Sequence, residues 1–116
     1  MDLFLNWFEL KPGVSDVAFS DAVGAYLGPL QQRGEIAGYR LTRRKLAFGP
    51  PELGEFFLVI EVEGLAQLDR AFATVSTRAG PIESLHAAMN QQVCNLRAAL
   101  YRDFPDPQRV RGEEKF

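Results

Sequence analysis

The residues with most capacity for chemistry in this chain are one carboxylate, two guanidinium groups and an amide, all set among aromatic side chains. Glu61 ends the alternating row Phe57, Val59, and Asn6 interrupts Phe4 and Phe8. Arg40 and Arg97 project to the same side, with Thr42, if the segments that carry them are strands. A buried charge needs a partner, so an ion pair of Glu61 with Arg40 or Arg97 is the structural expectation. The same groups suit a ligand pocket, which combines apolar walls with a few convergent polar atoms. Phe57 and Val59 would form the walls, and a guanidinium would fix an acidic or carbonyl group of a small, partly aromatic ligand. The distance from the Glu61 carboxylate to the two guanidinium groups separates scaffold from chemistry.

The other reactive side chains are more ordinary. His86 is the only histidine, which excludes a multi-histidine metal site within one chain. It reads first as a surface or helix-packing residue and second as a general base. Cys94 is the only cysteine, so no intramolecular disulfide can form. It reads as a small core residue in a reducing compartment, since a catalytic thiol would need a histidine beside it. No glycine-rich phosphate loop and no cysteine pair at metal spacing is present, so neither cofactor nor metal is expected. The basic run Arg43-Arg44-Lys45 is answered by Glu52 and Glu55, which favours cross-strand ion pairing over anion binding. The formal net charge of −2 argues against a general nucleic-acid binder. The start, Met1-Asp2-Leu3-Phe4, lacks the pattern of a signal peptide, and no apolar run has the length of a membrane span. A soluble, cytoplasmic protein is expected.

These side chains need elements to position them. With 116 residues and 47% hydrophobic content, the chain can bury one core. Leu3 to Leu10 predicts a strand, stopped by Lys11-Pro12-Gly13. Both of its faces are largely apolar: Leu3, Leu5 and Trp7 on one, Phe4, Asn6 and Phe8 on the other. Ser15 or Asp16 can cap a helix marked by Phe19, Val23, Tyr26, Leu27 and Leu30, with Gly34 at its end and a kink or break at Gly28-Pro29. Ile36 to Phe48 predicts a second strand and Glu55 to Val62 a third, joined by a short link in an antiparallel hairpin. Tyr39 and Leu41 oppose Arg40 and Thr42; Phe56, Leu58, Ile60 and Val62 oppose Phe57, Val59 and Glu61. Leu65, Leu68, Phe72 and Val75 mark a second helix, broken at Gly80-Pro81, with Ile82, Leu85 and Met89 continuing helical. The stretch from Val93 to Arg102 fits either period. A β-α-β-β-α order without a closing strand decides for strand.

The result is an α+β, ferredoxin-like β-α-β-β-α-β fold with an antiparallel sheet over residues 1–104, then a polar, proline-punctuated tail over 105–116 that ends in the charged run Glu113-Glu114-Lys115. Two helices cover one face of such a sheet. The other face is expected to carry Phe4, Phe8, Phe57, Val59 and Tyr101. A fully exposed large apolar side chain forgoes about 1.5–3 kcal/mol of burial. A contiguous apolar face therefore predicts a homodimer, sheet to sheet around a two-fold axis, as in a dimeric α+β barrel.

The segments Tyr39-Arg40-Leu41-Thr42-Arg43-Arg44-Lys45-Leu46, Leu65-Ala66-Gln67-Leu68-Asp69-Arg70-Ala71-Phe72 and Leu100-Tyr101-Arg102-Asp103-Phe104-Pro105-Asp106 resemble an uncharacterised bacterial family of dimeric ferredoxin-like proteins. The resemblance reaches to about Arg109. It implies the fold, the last strand and the dimer, and it brings no catalytic residues. Three functions follow as expectations. One is a homodimeric small-molecule binder with a partly apolar cavity on the sheet face. Another, by analogy of fold alone, is a cofactor-free oxygenase or isomerase using Asn6, Trp7 and His86. The third is a structural or protein-interaction role only.

Overall fold

A strand that alternates large apolar side chains on both faces must sit inside a sheet with something on each side. Asp2–Leu10 (β1) is such a strand, and it takes a central place. In this computed structural model it is followed by α1 (Asp16–Gln32), β2 (Gly38–Arg43), β3 (Phe56–Val62), α2 (Leu65–Ser76), α3 (Gly80–Asn90) and β4 (Val93–Arg102). The structure describes residues 1–77 and 80–113, without the side chains of 80–82. Glu114 and Lys115 of the terminal charged run, and the Ile82 side chain in the helical stripe, lie outside the described residues. The sheet order is β2-β3-β1-β4, with every neighbouring pair antiparallel, and this is the ferredoxin-like α+β arrangement. The last segment is a strand, as the fold pattern requires.

The register assigns each side chain to a face, because residues paired directly across two strands point the same way. Phe4, Asn6 and Phe8 stand opposite Ile60, Leu58 and Phe56, and Tyr39 and Leu41 continue these rows into β2. Helices pack on this face. Phe19, Val23, Leu27 and Leu30 of α1 and Leu68 and Ala71 of α2 meet it in one buried cluster. Aromatic edges fix the cluster: Phe8 meets Phe19 at 5.4 Å in a T-shaped contact, and Phe4 meets Phe72 at 5.4 Å in another. The opposite, open face carries Leu3, Leu5 and Trp7 beside Glu61, Val59 and Phe57.

This register corrects the expected composition of the open face. Phe4, Phe8 and Asn6 belong to the helix-covered face, and Leu3, Leu5 and Trp7 take their places on the other. A period of two cannot choose between the faces of a strand that is apolar on both.

Three further expectations change. Of the kink or break expected at Gly28-Pro29, the break is absent: α1 runs on to Gln32 as one helix. Proline there removes one intrahelical hydrogen bond, but Tyr26, Leu27 and Leu30 are buried on either side of it, and this packing holds the turn. The second strand ends at Arg43, well short of Phe48, so the link to β3 is a loop over 44–55. Leu46 and Ala47 take left-handed backbone angles, φ 57 and 53, which no strand accommodates. The Arg44 guanidinium closes the loop by donating to the carbonyls of Pro50 and Leu53, at 2.7 Å each. Third, the basic run is divided in its work. Arg43 alone pairs with a carboxylate across the strands, Glu55 at 2.9 Å, and also reaches Asp16 at 2.9 Å.

The turns are held by specific polar contacts. Ser15 caps α1 by accepting from the Ala18 amide at 3.2 Å, and Gly34, φ 74, follows its C-terminal end. Gln67 is buried with both ends of its amide in use. Its oxygen accepts from the Glu63 amide at 2.7 Å, and its nitrogen donates to the Gly34 carbonyl at 2.9 Å, tying the start of α2 to the end of α1. Between Trp7 and Glu9 the β1–β4 register shifts by a bulge. There Asn95 adopts φ 56, a value asparagine tolerates, and donates to Glu9 at 2.9 Å.

Candidate functional site

The expected polar cluster divides between the two faces. On the open face the strands lay out three cross-strand rows. Gly38, Glu61, Leu3 and Tyr101 form one; Arg40, Val59, Leu5 and Ala99 the next; Thr42, Phe57, Trp7 and Arg97 the third. Five of the six expected site residues, Arg40, Glu61, Arg97, Phe57 and Val59, share this face. Asn6 does not, which removes it from the cluster. Trp7 and Phe57 stack at 4.8 Å with their planes 16° apart. Leu5 is buried by its neighbours even here, whereas Arg40, Glu61, Arg97 and Tyr101 are exposed. Among the described residues no ion pair joins Glu61 to Arg40 or Arg97. The Glu61 carboxylate instead lies over Gly38, 3.4 Å from where a Cβ would stand. The open face therefore has an apolar centre on β3 and β1 with Arg40, Glu61 and Arg97 exposed around it.

The other face contains the cavity. A space of about 250 Å³ lies between the sheet and the helices. Phe4, Asn6 and Phe8 of β1 form its floor, Tyr26 and Leu30 of α1 one side, Phe72 and Val75 of α2 and His86 and Met89 of α3 the others. The edge strand β4 contributes Val93 and Leu96. The wall is almost wholly apolar and rich in rings. None of the described residues that line it is Lys, Arg, Asp or Glu. Its polar groups are Asn6, Tyr26, His86 and Asn90.

Two of these groups have spare hydrogen-bonding capacity. Asn6 is 8% exposed, and its side chain's one hydrogen bond among the described residues, from Nδ2 to the Phe4 carbonyl, is stretched to 3.5 Å. The Tyr26 ring is 6% exposed, and its hydroxyl has no hydrogen-bond partner among the described residues. Among the described residues no polar side-chain atom is both sealed from solvent and unpaired. The free capacity of Asn6 and Tyr26 thus has room around it. Burial, and secondarily the charge of Glu35, pushes the Tyr26 hydroxyl up to about 12. It stays a neutral donor across the physiological range. The His86 ring lies 5.4 Å from the Tyr26 ring, tilted by 54°. Cys94 is half-buried on β4, outside this wall. Among the described residues no group of three or more His, Cys, Asp or Glu could hold a metal ion.

Sequence reasoning singled out Asn6 and His86 and missed Tyr26, which it counted only as part of an apolar stripe. The available signal was a polar tip on each of three apolar stripes: Asn6 on β1, Tyr26 on α1 and His86 on α3. The trio Asn6, Trp7 and His86 does not assemble, because Trp7 stands on the open face.

A four-stranded antiparallel sheet with helices on one side and a ring-lined cavity between the layers defines a ferredoxin-like α+β protein. The chain belongs to DUF6614, a family of unknown function whose sequence profile matches residues 1–116. No curated protein matches it significantly. Among solved structures it is similar to a protein of Arabidopsis thaliana, with a TM-score of 0.69 at 8% identity over 89% of this chain and 95% of that one. It is similar also to a dimeric ferredoxin-like protein of unknown function from Jannaschia sp. CCS1, with a TM-score of 0.65 at 10% identity over 88% and 98% of the two chains. Another of that description, from Thermobifida fusca, gives a TM-score of 0.58 at 14% identity over 86% and 88%. At these identities the likeness is one of fold. The resemblance read from the sequence, to uncharacterised bacterial ferredoxin-like proteins, agrees with both results. Among the described residues no helix is long and apolar enough to cross a membrane.

Proposed function

We propose that this protein binds a small, ring-containing molecule in the cavity between its sheet and its helices. The observation that carries this reading is the cavity itself: about 250 Å³, apolar, with the under-used polar groups of Asn6 and Tyr26 in its wall. The space is a cleft partly open to solvent, so a ligand can enter it without unfolding the core. An apolar cavity of about 150 Å³ already admits benzene. A buried amide with one stretched hydrogen bond destabilises a core, so its presence points to a use.

The test is uptake of naphthalene, followed by its fluorescence. The protein should take up one naphthalene per chain, and Ala71→Phe, which fills the space from α2, should abolish uptake while the circular dichroism spectrum is kept. Equal uptake by the filled variant would place binding elsewhere and end this reading.

The open sheet face supports self-association as the setting for the site. Its apolar centre and charged surroundings match the anatomy of a protein–protein interface. Arg40 and Arg97 on one copy offer partners to Glu61 on another. The Jannaschia and Thermobifida proteins are dimeric, and this chain shares their fold. A second reading, an enzyme acting on the bound molecule, is favoured by the contact between the His86 and Tyr26 rings, two groups that can move protons. His86→Gln would then keep binding and lose turnover.

A further inference from the structure

The walls of the cavity carry information about charge as well as shape. Two cationic side chains, Arg40 and Arg97, stand on the same sheet, but strand alternation sends both to the opposite face. Among the described residues lining the cavity no Lys, Arg, Asp or Glu is present. The charges beside the wall are negative: the field of Glu35 disfavours a negative Tyr26, and Glu83 lines the adjoining hollow that shares Phe72, Val75, His86 and Asn90 with the cavity. A carboxylate or phosphate placed here would leave water without a fixed cation to receive it. The hydroxyl of Tyr26 and the amide of Asn6 offer something different: donors and an acceptor suited to an uncharged oxygen. Among the aliphatic side chains of the wall stand the rings of Phe4, Phe8, Phe72 and His86. They favour a flat, polarisable partner through edge and offset contacts.

We infer that the cavity selects uncharged aromatic molecules bearing a hydroxyl or carbonyl oxygen, with Tyr26 as the specificity-determining donor, and that it rejects the corresponding carboxylates. This rests on the reading of the cavity as a ligand site and names the class of ligand it takes. Arg40 and Arg97 have no part in it.

Three probes sharing one ring system test the inference: naphthalene, naphthol and naphthoate, titrated into the protein with dissociation constants read by fluorescence and calorimetry. Naphthol should bind about tenfold more tightly than naphthalene, the effect of one added hydrogen bond, and at least tenfold more tightly than naphthoate. Tyr26→Phe keeps the ring and its packing, so it should bring naphthol to the level of naphthalene and leave naphthalene unchanged. Arg40→Gln and Arg97→Gln should change none of the three. If naphthoate binds as tightly as naphthol, and His86→Gln removes that binding, the cavity takes anions on its histidine and the inference fails. If naphthol and naphthalene bind equally to the unaltered protein, Tyr26 selects nothing and the inference also fails, although the ligand site survives. If none of the three binds, the ligand site itself is refuted and the class falls with it.

Discussion

Asn6→Leu should make this protein more stable and less able to bind. Asn6 stands on the helix-covered face of β1 between Phe4 and Phe8, opposite Leu58 and Ala98, at 8% exposure. Among the described residues its side chain has one hydrogen bond, 3.5 Å long, at the limit of what counts as one. The loss of that bond costs about 0.5 kcal/mol at most, the low end for a net intramolecular hydrogen bond. Removing a poorly paired amide from an apolar wall returns about 1–2 kcal/mol by the mutational scale. The larger leucine needs extra room, and the adjoining space of about 250 Å³ supplies it, so overpacking should not offset the gain. The net expectation is a stabilisation of about 1 kcal/mol, or a rise in Tm of about 3–6 °C for a domain of this size. Calorimetry and urea denaturation measure it. The same variant should bind naphthol more weakly, because a donor and an acceptor have left the wall. A Tm lowered by several degrees would show that the amide holds the native core together and is no spare group, and the argument from its stretched bond would be wrong.

Phe57→Glu places a charge at the apolar centre of the open face, and sedimentation at micromolar concentration should show a dimer for the unaltered protein and a monomer for the variant; a monomeric unaltered protein refutes the interface. Gly54→Ala should destabilise by about 1–3 kcal/mol or more, read as a lowered urea midpoint, because a Cβ there would clash with the Phe8 backbone carbonyl; an unchanged midpoint would mean that the loop moves freely. Ser15→Ala removes the cap of α1 and should cost about 1 kcal/mol in the same assay. The ultraviolet tyrosinate titration should contain one component near 12 that Tyr26→Phe removes. Since the folded hydroxyl holds its proton to higher pH than the ordinary value of 10.0, its contribution to stability is whole below about pH 10 and fades as pH rises towards 12.

The fold was legible because β2, β3 and the helices carry unambiguous periods. In β3 the row Phe56, Leu58, Ile60, Val62 and its opposite row needed only to be told which side the helices take, and Arg40 and Thr42 on β2 settled that. The last strand, whose own period was ambiguous, followed from the order of the other elements. Strand β1 was different. Its two faces are equally apolar, and its partners β3 and β4 are distant in sequence, so no turn sets its register. One wrong choice there moved Phe4, Asn6 and Phe8 together. The link over 49–54 was legible from Gly49-Pro50-Pro51 and Gly54, but its start at 44–48 was hidden for another reason: Leu46, Ala47 and Phe48 look like strand residues, and the Lys45–Phe48 turn with the Arg44 bonds to two loop carbonyls holds them otherwise. The cavity depends on how far apart three helices and a sheet come to rest. No window of sequence records that distance, so Tyr26 passed for one more core residue.

The period of the strands also explains how one thin sheet can carry two surfaces of opposite character. Asn6 and Trp7 are neighbours in β1, and Leu96 and Arg97 are neighbours in β4, yet in each pair one side chain lines the cavity and the other stands on the open face. A single residue step separates an uncharged wall from a face with exposed charges. The pleat keeps the arginines out of the cavity while leaving them on the same strands. On the proposed reading, the charges of the open face serve association without altering what the cavity accepts, and the polar tips of Asn6, Tyr26 and His86 select a ligand without exposing the core. Only the bulge at Asn95 interrupts this separation, at the edge strand where Leu96 borders both the cavity and the open end of the sheet.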